Sequence, residues 1–159
     1  MSIYRIVQNL EKCIGCHACE VHCVVNKEIT SELKICKIIP SEITLSENKP
    51  IQNFFFVTCF HCKRPLCVEN CPTGAMKKRK KDGIVFVDKI LCVGCKNCIE
   101  ACPWGIPQYD PKEGVIIKCD LCMDRLDQGL MPACVTKCTT HALNLITVKE
   151  FSETKKGKN

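Results

Sequence analysis

Cys92-Val93-Gly94-Cys95-Lys96-Asn97-Cys98-Ile99-Glu100-Ala101-Cys102-Pro103 is the stretch on which the fold turns. Its spacing, C-x2-C-x2-C-x3-C-P, closes three thiols around one point and carries the fourth away on a turn of its own. A cubane iron-sulfur cluster asks for that pattern: three thiolates of the run grip one cluster and the fourth ligates its neighbour. Clusters held in this way come in pairs.

The same spacing stands near the N-terminus, at Cys13, Cys16, Cys19 and Cys23. Two looser quartets complete the set: Cys59, Cys62, Cys67 and Cys71, with a four-residue gap, and Cys119, Cys122, Cys134 and Cys138, with an eleven-residue gap. Sixteen of the 17 cysteines are thereby placed, and only Cys36 is left over. Its setting in an apolar stretch reads as a small buried hydrophobe and not as a ligand.

By the crossing rule, Cys59, Cys62 and Cys67 share a cluster with Cys102, while Cys92, Cys95 and Cys98 share one with Cys71. The outer quartets then pair across the chain. Cys13, Cys16 and Cys19 join Cys138, and Cys119, Cys122 and Cys134 join Cys23. The expected fold is α+β: two interleaved bacterial-ferredoxin-like units, with short helices and β-hairpins around four [4Fe-4S] clusters. Residues 1–58 with 103–148 form the outer unit, 59–102 the inserted inner unit, and 149–159 a polar tail.

The intervening sequence fits a repeated strand, cysteine loop, short helix and strand. Residues 3–7, 33–39 and 54–57 read as strands, the second ended by Pro40, and residues 18–25 as a helix. Asp82-Gly83 before an apolar run predicts a hairpin over 75–87, and Pro111 with Gly114 predicts another over 108–117. Cys71-Pro72-Thr73-Gly74-Ala75 is echoed by Cys102-Pro103-Trp104-Gly105-Ile106 and, more faintly, by Cys138-Thr139-Thr140-His141-Ala142 before a closing strand over 143–148. Proline after the last cysteine fixes φ and turns the chain out of the helix.

Composition removes the main competitors. Cysteine at this density in a secreted chain would signal a disulfide scaffold, but the N-terminus has no basic segment followed by an apolar core and no twin arginine. Zinc ribbons need only four ligands and seldom place three cysteines within seven residues. The net charge of +6 invites a nucleic-acid reading. Four oxidised cubanes with their thiolates would add about −8, leaving the loaded chain near −2, so the basic excess offsets its cofactors. No apolar run approaches a membrane span, and the expected location is the cytoplasm, where thiols stay free for metal.

Four histidines, His17, His22, His61 and His141, sit in or beside the cysteine loops. An imidazole there could ligate iron or tune a potential by hydrogen bonding, and with thiolates filling every position none of the four is expected as a ligand. Phe60 and Trp104 read as packing that keeps water off a cluster. The run Lys77-Lys78-Arg79-Lys80-Lys81 reads as a solvated hairpin arm, with a landing patch for an acidic partner as the sharper alternative. No nucleophile triad, phosphate loop or dinucleotide fingerprint is present, so no enzymatic activity is expected of the chain itself.

The nested quartets, with their four- and eleven-residue gaps, resemble the four-cluster iron-sulfur subunits of molybdenum and tungsten oxidoreductases. That family serves dimethyl sulfoxide reductase, formate dehydrogenase, hydrogenase complexes and tungsten aldehyde oxidoreductases. The resemblance implies an electron wire whose partner is a large catalytic subunit with a tungsten or molybdenum pterin cofactor, with room for a further redox subunit or ferredoxin at the other end. An aldehyde- or formate-oxidising partner suits the short chain best. It also implies that the cluster gripped by Cys13, Cys16 and Cys19 lies nearest the catalytic subunit and the one gripped by Cys92, Cys95 and Cys98 farthest from it. Some members replace a cysteine of the third quartet with tryptophan; here all four stand. Thr139 replaces proline after Cys138, which questions that loop's exit. A free-standing polyferredoxin is the alternative, and a zinc-dependent scaffold a more remote one.

Overall fold

The computed structural model describes residues 3–30 and 32–150. Ten short strands pair into five two-stranded antiparallel ladders, with five short α-helices between them. Strand β1 (Tyr4–Gln8) leads through a 3-10 turn to the first quartet and helix α1 (Ala18–Lys27). Strands β2 (Lys37–Pro40), β3 (Thr44–Ser46), β4 (Lys49–Ile51) and β5 (Phe54–Val57) follow, and β5 feeds the second quartet. Helix α2 (Leu66–Glu69) and the hairpin of β6 (Met76–Lys78) with β7 (Val85–Val87) lead to the third quartet and α3 (Asn97–Glu100). The hairpin of β8 (Gln108–Asp110) with β9 (Val115–Ile117) leads to the fourth, which carries α4 (Met123–Asp127) and α5 (Ala133–Thr136) before β10 (Leu143–Thr147).

The first and last strands of the described residues pair. β1 pairs with β10 from Tyr4 opposite Thr147 to Gln8 opposite Leu143, and α1 packs on α5. The side chain of Gln8 then acts in place of a third strand. Its Nε2 donates to the Phe54 carbonyl at 2.7 Å and its Oε1 accepts from the Phe56 amide at 2.8 Å, joining this ladder to β2–β5.

Glu20 pins α1 to the start of β2. Its buried carboxylate accepts from the Ile38 amide at 2.6 Å and meets Lys34 at 2.8 Å and His17 Nδ1 at 3.2 Å. Burial opposes its charge, but those donors outweigh burial and hold its pKa below the usual value. A carboxylate so enclosed persists because its acceptor sites are filled.

The core is divided into four small clusters, and cysteines belong to each: Cys19 and Cys134; Cys23 and Cys36; Cys98; and Cys119. Such a core offers little apolar burial of its own, so metal binding is a natural part of folding.

Several local expectations need correction. The strand expected over 33–39 exists only from Lys37, because Ile35 and Cys36 are both buried side by side and the backbone of Lys34 bonds instead to the Gln108 side chain, at 3.1 and 2.6 Å. Pro40 is its last strand residue. The β3–β4 hairpin was not expected; its two turn residues, Glu47 and Asn48, have φ of 50° and 61°. Helix α1 runs two residues past the expected 18–25. Of the expected polar tail, 151–159 lies outside the described residues.

Candidate cluster-binding sites

The quartets fall into two kinds of loop. In the first and third, Gly15 and Gly94 take φ of 67° and 65°, and His17 and Lys96 follow at 58° and 65° as the left-handed residues that open α1 and α3. In the second and fourth, the residue two after the leading cysteine is left-handed, His61 at 44° and Leu121 at 55°. Each turns its amide onto that cysteine's sulfur, to Cys59 and to Cys119, both at 3.4 Å. The repeat legible in the spacing is therefore a repeat of backbone conformation.

The exits match as well. Gly74, Gly105 and His141, each three residues after the closing cysteine, have positive φ and donate back to the carbonyl of Cys71, Cys102 and Cys138 at 3.3, 3.1 and 3.0 Å. Thr139 in place of proline leaves this turn intact, and His141 occupies the position that glycine holds elsewhere.

Thiols distant in sequence converge on two cavities. One is lined by Cys13, Cys16, Cys19 and Cys138, the other by Cys59, Cys62, Cys67 and Cys102. Among the described residues no three His, Cys, Asp or Glu side chains close on a single ion. Each cavity is lined by four thiols, and a cubane takes one thiolate per iron.

Among the remaining eight thiols, Cys98 feels the charge of Cys71 and Cys92, and Cys134 that of Cys119, Cys23 and Cys122. Burial first, then Cys67, Cys71 and Cys92, push the Cys98 thiol up to about 11. Burial first, then Cys119, Cys23 and Cys122, push up that of Cys134. The Cys19 and Cys119 thiols are each pushed up to about 12, chiefly by burial. Buried thiols crowded in this way resist ionisation one by one and would give up their protons to solvent when a metal binds them.

Further amides point at sulfur: Met76 to Cys71 and Ile116 to Cys92, both at 3.3 Å, and Ala142 to Cys138 at 3.2 Å. Donors of this kind stabilise negative charge on ligand sulfur and tune a cluster's potential.

The 4Fe-4S dicluster domain family matches residues 51–148. A subunit of the anaerobic dimethyl sulfoxide reductase of Escherichia coli is 39% identical over 155 residues, covering 93% of this chain and 75% of that protein. The thiosulfate reductase electron transfer subunit of Salmonella typhi is 39% identical over 142 residues, covering 88% and 73%. The chain belongs to this family of iron-sulfur electron-transfer subunits. It is a non-catalytic [4Fe-4S] protein of small mixed helix and strand architecture, and its sixteen quartet cysteines suffice for four [4Fe-4S] clusters. Among its described residues no helix is long and apolar enough to cross a membrane.

Other residues of this iron-sulfur subunit settle as follows. Cys36 is buried, and its Sγ donates to the Cys19 carbonyl at 3.6 Å. His61 is 2% exposed; its Nδ1 accepts from the Val85 amide at 3.0 Å, which leaves the proton on Nε2. Burial, then Lys118 and Arg5, hold its pKa well below the usual value, so it is neutral and not a cation. The rings of Phe60 and Trp104, centroids 4.9 Å apart, both line the second cavity. The basic run is largely engaged within the chain: Lys77 with Asp88 at 2.8 Å, Lys78 with the Lys63 carbonyl at 2.6 Å, Arg79 with Asp82 and Asp127, and Lys81 with Asp127 at 2.6 Å. Glu20 and Lys118 escaped the sequence reading. A lysine closing the apolar run Val115-Ile116-Ile117 beside Cys119 was the available signal for the latter.

Proposed function

We propose that this subunit relays single electrons through four [4Fe-4S] clusters between a catalytic oxidoreductase subunit and a second redox partner. The observation that carries the reading is the pair of four-cysteine cavities, in each of which the fourth thiol comes from another quartet. They support the ligand sets Cys13, Cys16, Cys19 and Cys138, and Cys59, Cys62, Cys67 and Cys102. The charges of Cys71 and Cys92 on Cys98, and of Cys119, Cys23 and Cys122 on Cys134, together with the quartet spacing that adds Cys95, support the other two: Cys92, Cys95, Cys98 and Cys71, and Cys119, Cys122, Cys134 and Cys23. The β1–β10 ladder supports an outer unit, 1–58 with 103–148, closed around an inner unit at 59–102.

A bound cubane supplies a one-electron couple that needs no bond making or proton transfer. The chain's own residues hold it by four thiolates, direct amides at sulfur and, at the second cavity, exclude water with Phe60 and Trp104. Cys16 and Cys95 are the exposed cysteines of the chain, one in each tight quartet, and each loop presents an exposed apolar residue at the same place, Ile14 at 61% and Val93 at 67%. Those loops suit the entry and exit of electrons at partner surfaces, the first at the catalytic subunit and the third at the far end.

For the catalytic partner we propose a large subunit with a molybdenum or tungsten pterin cofactor, acting in the cytoplasm. The relatives' names favour a reductase; an aldehyde- or formate-oxidising enzyme would use the same wire. Anaerobic native purification followed by mass spectrometry tests this. Stoichiometric recovery with a large pterin-containing protein is expected, whereas recovery of the chain alone with its clusters full would replace it with a free-standing polyferredoxin.

A further inference from the structure

Lys118 is a buried lysine without a carboxylate. Its side chain lines the cavity of Cys59, Cys62, Cys67 and Cys102, and it is 6% exposed. Its Nζ donates to the carbonyls of Val85 and Cys119, the latter at 2.5 Å, and it takes part in none of the ion pairs among the described residues. An ammonium carries three donors, so one remains. The Val85 peptide is gripped from both sides, because its amide donates to His61 while its carbonyl accepts from Lys118. That clamp fixes where the charge sits.

A buried cation with no anion is costly unless something negative stands near it. The only candidate in this cavity is what its four cysteines hold. We propose that Lys118 is the built-in counter-charge of the cluster held by Cys59, Cys62, Cys67 and Cys102, and that it raises that cluster's reduction potential. The proposal rests on the ligand set given above. Reduction adds one electron to the site, taking its net charge from about −2 to about −3 with no bond broken and no proton moved. A fixed positive charge favours the more negative state. The same charge is felt at this cluster's own Cys67 and at Cys119 of the neighbouring quartet. At Cys67, pushed up to about 11 by burial, and at Cys119, pushed up to about 12 by burial, Lys118 acts in the opposite sense.

The test is a dithionite titration followed by EPR on the anaerobically purified chain carrying Lys118→Met or Lys118→Gln, with iron counted in parallel. The expected result is a full iron complement and a fall of about tenfold or more in the reduction equilibrium of one cluster, about 59 mV for a one-electron couple. The shifted signal should be the one abolished by Cys102→Ala, with a smaller fall at the cluster of Cys119. Unchanged midpoints at full iron content overturn the proposal and leave the four-cluster reading standing. A wild-type chain already short of iron strikes that reading instead. Should neither neutral variant assemble, Lys118→Arg decides: full iron with near wild-type midpoints supports the charge, and loss of iron there too overturns it in favour of a packing role.

Discussion

Replacing Gly94 with alanine should loosen the third cysteine loop far more than the same change at Gly74. Both glycines have nearly the same φ, 65° and 66°. A side chain in the left-handed region costs about 1–2 kcal/mol at either position. The surroundings differ. A Cβ at Gly74 meets nothing within 4 Å, whereas at Gly94 it runs into the carbonyl oxygen of Gly114, in the β8–β9 turn, and lies 2.9 Å from the Tyr109 ring. Backbone cannot step aside as a flexible side chain can, so overpacking adds about 1–3 kcal/mol at Gly94 alone. The two variants should therefore differ by that amount. Where iron loss follows the population of an opened loop, 1.4 kcal/mol is a factor of ten, so Gly94→Ala should release iron to a chelator about 5- to 150-fold faster than Gly74→Ala. Parallel anaerobic chelation kinetics on the two proteins give the comparison. Equal rates would mean that the loop between Cys92 and Cys95 does not lie against the β8–β9 turn as described.

Cys13→Ala and Cys138→Ala should abolish the same EPR signal, and the double variant should lose no more iron than either single one; two different lost signals would break the crossed ligand set. Cys36→Ala should keep its iron and lose about 1 kcal/mol of stability, the scale of a small buried group; loss of about four irons would make it a ligand. Glu20 has a folded pKa held below its ordinary 4.5, so its stabilisation is present above that value and fades as pH falls through the folded pKa. Glu20→Gln should cost about 1–3 kcal/mol near neutral pH and remove that part of the acid sensitivity, measured as thermal midpoints across pH; parallel wild-type and variant curves would contradict it.

Sequence spacing is enough to propose the ligand sets because cluster ligation is local: three thiols within a few residues need no knowledge of the rest of the fold. The same holds for the hairpins at 76–87 and 108–117, where Asp82-Gly83 and Gly114 announce their own turns. The crossing rule led to the expectation that the outer quartets pair across the chain, and the β1–β10 ladder is consistent with that proposed pairing. What escaped was set by partners far away. The β3–β4 hairpin is exposed on every residue and carries Pro50, so it has neither the alternation nor the composition of a half-buried strand. The stretch at 33–36 looked extended by composition, yet Gln108 from a distant hairpin captures the backbone of Lys34. Lys118 and Glu20 are ordinary charged residues until the fold buries them against two carbonyls and a β2 amide.

The most direct test of the account is the iron and acid-labile sulfide content of the anaerobically purified chain. About sixteen of each per chain are expected from four filled quartets. A value near eight would contradict the account, leaving two of the four quartets without clusters.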